Sequence, residues 1–345
     1  MFRKYIISEE KTLIDALKTI NKMERNEALT LFVEDSNRTI IGTLTDGDIR
    51  RSLINGDTLE SKVRKIAHRN FSYLNFDSYD VKQIHAAKEK GIELLPVLNN
   101  QMMIVDVVNL KKQKSYLPID AVLMAGGKGE RLRPLTEIIP KPLLKVGDKC
   151  IIDYNIDRLI NYGVRHLSVT VNYLKEQLEK HFEEPRNGIL VQTVREPKFL
   201  GTMGSILFVD RFYNDTILMM NSDLFTNIDY EDFFLHFKEH NADMSIAAVP
   251  YTISVPYGIF ELEGREVKGI LEKPTYNYYA NAGIYLIKRY LLKLIPKNIF
   301  FNATNFIDML MKNGYKVIRF PLNGTWIDIG NPQEYQKAKD LVNHI

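Results

Sequence analysis

A glycine-rich segment near the middle of the chain combines small residues with basic ones in an order that suits phosphate binding. Residues Ala125–Gly129 read AGGKG, and Arg131 and Lys141 follow. Glycines let main-chain N–H groups approach an anion, and the basic side chains supply charge-assisted donors. The segment is not a Walker A loop, and Leu132 replaces the third glycine of a dinucleotide fingerprint. The pattern therefore indicates another kind of phosphate-binding loop, unless the glycines serve only a tight turn.

Two acidic residues farther along the chain are candidate metal ligands. Asp223 follows the apolar run Thr216–Asn221, and Asp328 lies in the stretch Trp326–Pro332. Carboxylate oxygens are among the ligands that Mg²⁺ prefers. Taken singly, each residue has a structural alternative, because Asp223 can begin a turn and Asp328 can cap a helix.

The glycine-rich loop and the two aspartates belong to a longer ordered series of motifs. The series runs through Leu123–Thr136, Pro140–Pro142, Glu196–Gly204, Asn221–Asp223, Glu272–Pro274 and Trp326–Pro332. It resembles the nucleotidyltransferases that activate sugar 1-phosphates, whose signature reads close to G-x-G-x-R-L-x-P-L-T followed by P-K-P. The resemblance covers essentially all of residues 119–345. Met203 departs from it, because a small residue such as alanine is expected there, and this leaves the preferred base open.

The resemblance implies a role for each matching residue. Two catalytic residues are implied: Arg131 would bind the departing β- and γ-phosphates, and Lys141 would contact the α-phosphate. The implied cofactor is Mg²⁺, held by Asp223 and Asp328. The implied nucleotide-binding residues are Ala125, Gly126, Gly127, Gly129 and Gly201, and the implied sugar-phosphate-binding residues are Gly258, Glu272, Lys273, Asn281 and Gly283.

The reaction implied by this resemblance is attack by a hexose 1-phosphate oxygen on the α-phosphorus of a nucleoside triphosphate, with pyrophosphate leaving. The chain is further similar to guanylyltransferases of surface-glycan and nonulosonate biosynthesis, so GTP with glucosamine 1-phosphate or mannose 1-phosphate is expected. UTP, CTP or dTTP with glucose 1-phosphate are alternatives. A non-catalytic nucleotide-sensing regulator is an alternative of another class, but it would have lost part of the catalytic set, which is complete here.

The first 115 residues contain an internal duplication, with repeats at about 1–68 and 69–115. Each repeat is predicted to form strand, helix, strand and strand, and Thr12 is predicted to cap the first helix. In the second repeat, Asp106 and Asn109 occupy the positions that correspond to Thr45 and its neighbour three residues on.

The motif at the end of the first repeat, Gly42–Arg51, resembles that of a CBS-domain pair (a Bateman module). This resemblance implies an adenine nucleotide bound by Thr45 and Asp48. Two alternatives stay open: Thr45 and Asp48 may be no more than the start of a helix, and the module could serve dimerisation without a ligand.

Residues 119–345 alternate short apolar runs with amphipathic segments, which indicates βαβ units. We therefore predict an α/β protein: a Rossmann-like domain with a mixed, mainly parallel sheet (GT-A-like), preceded by the CBS-pair module. The basic segment Leu110–Pro118 separates the two. A helix is predicted over Met203–Val209, and added strands of a substrate-binding region are predicted over Gly258–Glu263, Val267–Leu271 and Asn281–Ile287.

Composition narrows the class of protein. The chain has 345 residues, 26% of them charged, and its formal net charge of +3 is too small to suggest a nucleic-acid partner. Cys150 is the single cysteine, which excludes an intrachain disulfide and a zinc site built from cysteines. No apolar run approaches the ~18 residues of a membrane span, and the N-terminus is unlike a signal peptide. A cytoplasmic enzyme without a membrane partner, and a homo-oligomer, are expected.

Overall fold

The computed structural model describes residues 2–24, 27–76 and 78–343. The chain divides into two compact units, the first made of residues 1–117 with 161–163 and the second of residues 118–160 with 164–345. No helix within the described ranges is both long enough and apolar enough to cross a bilayer.

The first unit consists of two halves with the same topology. The first half contains β1 (Ile6–Ser8), α1 (Leu13–Asn21), β2 (Thr30–Glu34), β3 (Ile40–Thr45), α2 (Asp46–Ile54) and the short α3 (Val63–Ile66). The second half contains β4 (Leu74–Asn75), α4 (Val81–Glu89), β5 (Leu94–Leu98) and β6 (Ile104–Asn109). In each three-stranded sheet the first two strands are parallel and the last two antiparallel. Both halves therefore show the strand–helix–strand–strand order expected of the repeats.

Local sequence determines where α1 begins. Thr12 Oγ1 accepts a hydrogen bond from the amide of Asp15, and the Asp15 carboxylate accepts one from the amide of Thr12. This reciprocal pair satisfies two N–H groups that a helix start leaves without partners. Leu13, Ala16 and Ile20 then bury one face of the helix in the core. The predicted cap at Thr12 is confirmed.

The second unit is built around a seven-stranded sheet of order β11-β10-β7-β12-β17-β14-β18. Its strands are β7 (Ile119–Met124), β10 (His166–Val171), β11 (Val191–Arg195), β12 (Thr216–Asn221), β14 (Met244–Ser254), β17 (Thr275–Lys288) and β18 (Val317–Pro321). Only β17 runs against the other six. The predicted mixed, mainly parallel sheet is confirmed, and the almost completely buried β7 suits a strand covered on both faces.

Shorter strands and the helices surround this sheet. The strands are β8 (Lys145–Val146), β9 (Lys149–Cys150), β13 (Leu224–Thr226), β15 (Ile259–Glu263), β16 (Glu266–Leu271) and β19 (Trp326–Asp328). The helices are α5 (Leu135–Ile138), α6 (Ile151–Asn161), α7 (Lys175–His181), α8 (Gly201–Gly204), α9 (Tyr230–Glu239), α10 (Ala303–Lys312) and α11 (Pro332–Asn343).

The helix predicted over Met203–Val209 is wrong. A single turn, α8, is followed by a 3₁₀ segment over Ser205–Phe208. The amides of Met203 and Gly204 both donate to the carbonyl of Phe301. These two hydrogen bonds hold the single turn α8 against the backbone at Phe301. Sequence periodicity carries no information on this distant backbone partner.

Strands β14 and β17 continue beyond the sheet as a two-stranded ribbon. β14 is buried up to Val249 and exposed from Pro250, and in β17 the buried stretch begins only at Ala282. Residues 250–281, which we call the arm, comprise this ribbon and the hairpin of β15 and β16. The first two predicted added strands are present in the arm as β15 and β16. The third, predicted over Asn281–Ile287, belongs instead to the central sheet, because this part of β17 pairs with β12, and only the outer part of β17 pairs with β14 in the arm.

Candidate active site

A cavity of about 680 Å³ opens beside the glycine-rich loop that follows β7. It is lined by Met124–Arg131, Lys141, Pro142, Asn172, Glu196, Phe199, Gly201, Thr202, Asn221–Asp223 and Gly330. The chain passes from β7 to its neighbour β10 and then to β11 on one side of β7. It then returns to β12, which is the neighbour of β7 on the other side, so the strand order reverses at β7. Ligand sites of open α/β sheets form at such a reversal of strand order, at the carboxyl ends of the strands.

Two glycines of the loop are required by close contacts. A Cβ at Gly126 would collide with Oε1 of Glu196 across the cavity. Gly129 has a φ of 63°, in the left-handed region, and a Cβ there would lie 3.1 Å from Lys141 Cβ. Gly127, by contrast, has open space around the position of a Cβ. Gly126 and Gly129 thus let the loop pass between Glu196 and Lys141.

Lys141 lies between two carboxylates at one end of the cavity. Its Nζ donates to the Asp223 carboxylate and lies 3.9 Å from Asp328 Oδ1. The two aspartates meet because β13 pairs with β19, with Leu224 opposite Asp328, and because the amide of Ile329 donates to the Asp223 carbonyl. Partial burial and the negative charge of Asp223 raise the pKa of Asp328.

The aspartate pair fits the chemistry of a divalent cation site. Asp223 Oδ1 is buried, and no residue in the described ranges donates a hydrogen bond to it. A buried carboxylate oxygen without a donor is costly unless a cation or water satisfies it. The Lys141 ammonium occupies part of this negative region in the present state. Asp223 and Asp328 are therefore suitable oxygen ligands for Mg²⁺.

Arg131 reaches the same cavity from the end of the glycine-rich loop. Its guanidinium packs so closely against Gly330 that a Cβ there would lie 3.0 Å from a guanidinium nitrogen. All of the predicted nucleotide-binding and catalytic residues line this one cavity. They are Ala125, Gly126, Gly127, Gly129, Gly201, Arg131 and Lys141.

Glu196 is a cavity residue for which the sequence predicts no site role. It is only 4% exposed, and its Oε2 accepts a hydrogen bond of 3.3 Å from the amide of Leu200. Burial raises the pKa of Glu196 to about 6. The signal available in the sequence is that an acidic residue opens the segment Glu196–Gly204, which resembles a base-recognition loop. Its burial depends on the distant Gly126.

Met203, the departure from the family pattern, does not face the cavity. Its side chain is completely buried in the core with Ile206 and Phe306. Met203 is accordingly absent from the residues that line the cavity.

The predicted sugar-phosphate-binding residues are not among the residues that line the cavity. Gly258, Glu272 and Lys273 are exposed residues of the arm. Glu272 and Gly258 are neighbours, because a Cβ at Gly258 would lie 3.1 Å from Glu272 Oε2. Lys273 has a φ of 45°, an uncommon conformation for a residue with a side chain that is often found at functional positions.

Asn281 and Gly283 lie next to the cavity wall instead of on it. Asn281 Oδ1 accepts a hydrogen bond from the amide of Gly283. Gly283 has a φ of 72°, and a Cβ there would lie 2.6 Å from Nδ2 of Asn221, which does line the cavity. The two residues therefore support Asn221 from behind.

Thr45 and Asp48 form a helix cap in the first unit. Thr45 Oγ1 and the Thr45 amide both donate to Asp48 Oδ2, and Arg51 donates to Asp48 Oδ1. Thr45 and Asp48 thus form a helix start, and the nucleotide site implied at these residues stays a prediction. Thr45 also lines a separate cavity of about 650 Å³, and Asp48 is not among its lining residues. The cavity is bounded by Leu29, Thr30, Thr43, Thr45–Gly47, His68, Asn70–Ser72 and Lys90–Leu94.

A glycine-lined cavity beside an aspartate pair, at the carboxyl ends of the strands of a mainly parallel sheet, is typical of nucleotide-binding α/β proteins. Residues 120–344 match the family model described as "Nucleotidyl transferase". The match covers more than half of the chain, so the chain belongs to the nucleotidyl transferase family.

Relatives and solved structures extend this comparison. The mannose-1-phosphate guanylyltransferase catalytic subunit beta of Danio rerio is 28% identical over 224 residues, which cover 62% of this chain and 62% of that protein. Its counterpart from Dictyostelium discoideum is 28% identical over 230 residues, 64% of each. The match thus spans less than two thirds of these relatives. The crystal structure of HddC from Yersinia pseudotuberculosis complexed with GMP-PN has a TM-score of 0.50 at 25% identity, covering 65% of this chain and 99% of that one.

Proposed function

We propose that this chain is a sugar-1-phosphate nucleotidyltransferase that uses Mg²⁺ and transfers GMP from GTP to a hexose 1-phosphate. The observation that carries the proposal is the position of Lys141 between Asp223 and Asp328 at the end of a glycine-lined cavity. A cation beside two carboxylates suits the end of a triphosphate that is bound with a metal ion, which supports the proposal. The family membership of residues 120–344 supports the same reaction class.

In the proposed reaction, an oxygen of the hexose 1-phosphate attacks the α-phosphorus and the bond to the β-phosphate oxygen breaks. Pyrophosphate leaves and a nucleoside-diphosphate sugar forms. The nucleophile is already an anion, so no general base is needed. The obstacle is repulsion between two polyanions, together with their alignment for in-line displacement.

Each cavity residue has a task in overcoming this obstacle. The backbone amides of the glycine-rich loop lie along the triphosphate, and Arg131 neutralises the departing β- and γ-phosphates. Lys141 neutralises charge that develops at the α-phosphate. Mg²⁺ bound by Asp223 and Asp328 would supply charge neutralisation on the phosphate oxygens. Lys273 is proposed to hold the attacking phosphate and Glu272 the sugar hydroxyls.

The choice of GTP rests on Glu196. Guanine presents two adjacent donors, N1–H and N2–H, on its Watson–Crick edge, and a carboxylate can accept both. Uracil and thymine present a single donor between two acceptors, and cytosine presents a donor beside an acceptor. A buried carboxylate in the cavity therefore favours guanine over the bases of UTP, dTTP and CTP. The names of the relatives, mannose-1-phosphate guanylyltransferases, agree with this choice.

The sugar is proposed as mannose 1-phosphate, from the names of the relatives, or as glucosamine 1-phosphate. Glucose 1-phosphate is the alternative, and a surface-glycan or nonulosonate pathway is the proposed context. The test is pyrophosphate release over a grid of GTP, UTP, CTP and dTTP with the three hexose 1-phosphates, with and without Mg²⁺. GTP-dependent release that requires Mg²⁺ supports the proposal, whereas no release from any pair rejects the reaction.

A second proposed function concerns the first unit, as a CBS-like regulatory module that binds an adenine nucleotide. Thr30, Thr43 and Thr45 line the cavity of about 650 Å³ at the start of α2, and Lys90 adds a cation beside the acidic Asp46 and Glu93. Helix starts and cations both favour phosphate. Asp48 is engaged in the cap, so its role would be to orient Thr45.

Calorimetric titration of the full chain with AMP and ATP tests this regulatory site. Lys90→Ala removes a cavity cation without touching the Thr45–Asp48 cap, and Lys88→Ala on the same helix is the control. Affinity that falls only in the Lys90 variant supports the site. If neither nucleotide binds the wild-type chain, the regulatory role is rejected and dimerisation becomes the better account of the module.

A further inference from the structure

Phe199 is the single aromatic residue among those that line the nucleotide cavity in the described part of the chain. It belongs to the segment Glu196–Gly204, which resembles a base-recognition loop, and it is 49% exposed. An aromatic side chain buries ~150–250 Å² when it is covered, so a half-exposed ring leaves a large apolar area beside a polar cavity. The ring is therefore a candidate contact for the flat face of a bound base.

Contacts with a distant segment fix the backbone beside Phe199. The amide of Phe301 donates to the carbonyl of Leu200 at 2.9 Å. Asn302 packs against the same loop, because a Cβ at Gly201 would lie 2.7 Å from Asn302 Oδ1. A side chain that is carried by a fixed loop loses less conformational freedom when a ligand binds, which favours affinity.

Phe300 supports the ring of Phe199 from outside the cavity. The two ring centroids lie 5.8 Å apart, and the ring planes are tilted by 56°. Aromatic pairs prefer such separated and tilted arrangements to a face-to-face stack. Phe300 is not among the residues that line the cavity, whereas Phe199 is. The pair therefore limits the movement of the Phe199 ring and leaves ring surface open on the cavity side.

Glu196 and Phe199 can contact one base in two different directions. The amide of Leu200, the residue directly after Phe199, donates to Glu196 Oε2, so the carboxylate and the ring stand on the same short loop. Hydrogen bonds to a base lie along its edge, whereas stacking acts on its face. The two side chains therefore do not compete for the same part of the base.

We propose that Phe199 stacks on the face of guanine while Glu196 accepts its edge donors, a role that rests on the proposed function because GTP must bind in this cavity. Stacking tolerates changes of base, since every base has a π-face. The edge contact, in contrast, depends on the donors that the base presents. Phe199 thus supplies affinity for the base, and Glu196 supplies the choice among bases.

Calorimetric titration of the full chain with GTP and with inosine triphosphate (ITP), in Mg²⁺ and without a hexose 1-phosphate, tests this division. The base of ITP keeps the two rings and the N1–H of guanine but lacks the 2-amino group. Phe199→Ala should raise the Kd of both nucleotides by about tenfold and leave the ratio of Kd for ITP to Kd for GTP unchanged within about twofold. Glu196→Gln should instead lower that ratio, because the amide offers one acceptor in place of two.

Two further variants separate stacking from simple apolar packing. Phe199→Tyr keeps the ring and should bind GTP within about twofold of wild type. Phe199→Leu keeps an apolar side chain but has no π-face, so it should bind GTP at least about fivefold more weakly than wild type.

Ile299→Ala is the matched control, because it removes a 56% exposed apolar side chain two residues before Phe301 without touching the ring. It should bind GTP as wild type does, and far-ultraviolet circular dichroism verifies the folding of every variant. An unchanged Kd in Phe199→Ala, or wild-type affinity in Phe199→Leu, overturns the stacking role. A lowered Kd ratio in Phe199→Ala also overturns it, since the ring then acts through Glu196. A wild-type chain that binds neither nucleotide rejects the proposed use of GTP instead, which keeps the two failures distinct.

Discussion

The nucleotide cavity and the arm belong to the same unit of the protein but hold their functional residues in different ways. Lys141 is 8% exposed and is fixed between two carboxylates, and Glu196 is 4% exposed against the glycine-rich loop. Glu272 and Lys273 stand on an exposed two-stranded ribbon. The cavity residues are therefore held by packing within the unit, whereas Glu272 and Lys273 are open to solvent. Changes in the cavity should act directly on chemistry, and changes at Glu272 and Lys273 should act on the binding of the sugar phosphate.

The largest expected effect is at Lys141. Lys141→Ala removes the cation between Asp223 and Asp328, and turnover should fall by ~10²–10³, as for other losses of preorganised charge. The measurement is pyrophosphate release at saturating substrates. Lys145→Ala, an exposed lysine four positions on, is the control and should keep wild-type turnover. Equal activity in the two variants would remove the distinction between the cavity and the rest of the surface.

The glycine-rich loop offers a matched pair of substitutions. Gly126→Ala forces a methyl group into Glu196 Oε1, whereas Gly127→Ala meets open space. Because displacements of ~1 Å in an active site can cost ~10² in rate, kcat/KM for GTP should fall by about that factor in the first variant only. If kcat/KM for GTP falls equally in both variants, the loop requires the backbone flexibility of its glycines and not the close fit of Gly126 against Glu196.

Glu196→Gln should weaken the preference for guanine. The amide offers one acceptor in place of two, so the ratio of kcat/KM for GTP over UTP should fall by ~10-fold or more. Glu184→Gln, an exposed residue, is the control. If the ratio is unchanged, Glu196 does not contact the base and the choice of GTP loses its physical support.

The same residue predicts a pH dependence. The Glu196 carboxyl has its pKa raised to about 6, so it is ionised above that pH and accepts the guanine donors there. As the pH falls through 6 the carboxyl becomes protonated, and GTP affinity should fall with it. The Gln variant lacks this titration. Protonation of the GTP phosphates lowers the affinity of both proteins for GTP. The loss of GTP affinity in wild type, minus the loss in Glu196→Gln, is therefore the part that is due to the Glu196 carboxyl.

The smallest expected effect is at the tip of the arm. Gly264 has a φ of 63° and open space around the position of a Cβ. Gly264→Ala should therefore cost ~1 kcal/mol of unfolding free energy from backbone strain, measured by denaturant melting. Turnover should stay within about twofold of wild type. A large loss of turnover would instead indicate that the tip of the hairpin contributes to a functional site.

Several features of the fold were predictable because they depend on neighbours in sequence. The cap at Thr12, the cap at Thr45 and the end of α4 at Gly91 all follow from residues within one helical turn. β7 was predictable because a buried parallel strand reads as a continuous apolar run. The residues that meet in the cavity were predictable only as a set, through their resemblance to a family.

Tertiary structure decided the features that depend on distant partners. Met203 faces the core because Ile206 and Phe306 surround it, and α8 stops after one turn because Phe301 accepts its amides. Glu196 is buried because Gly126 leaves room for it. The outer part of β17 is exposed because it pairs only with β14, away from the core.

The amino-acid sequence by itself determined which cations, carboxylates and glycines are present in this protein, and in what order. Which of them share a cavity was decided by strand order and by the pairing of β13 with β19, which joins Asp223 to Asp328 across more than a hundred residues. Burial, and with it the raised pKa of Glu196, arises only when the chain folds. The physical reason is that the sequence supplies the ionisable and apolar side chains, whereas the packing of the folded chain decides which of these side chains are removed from water.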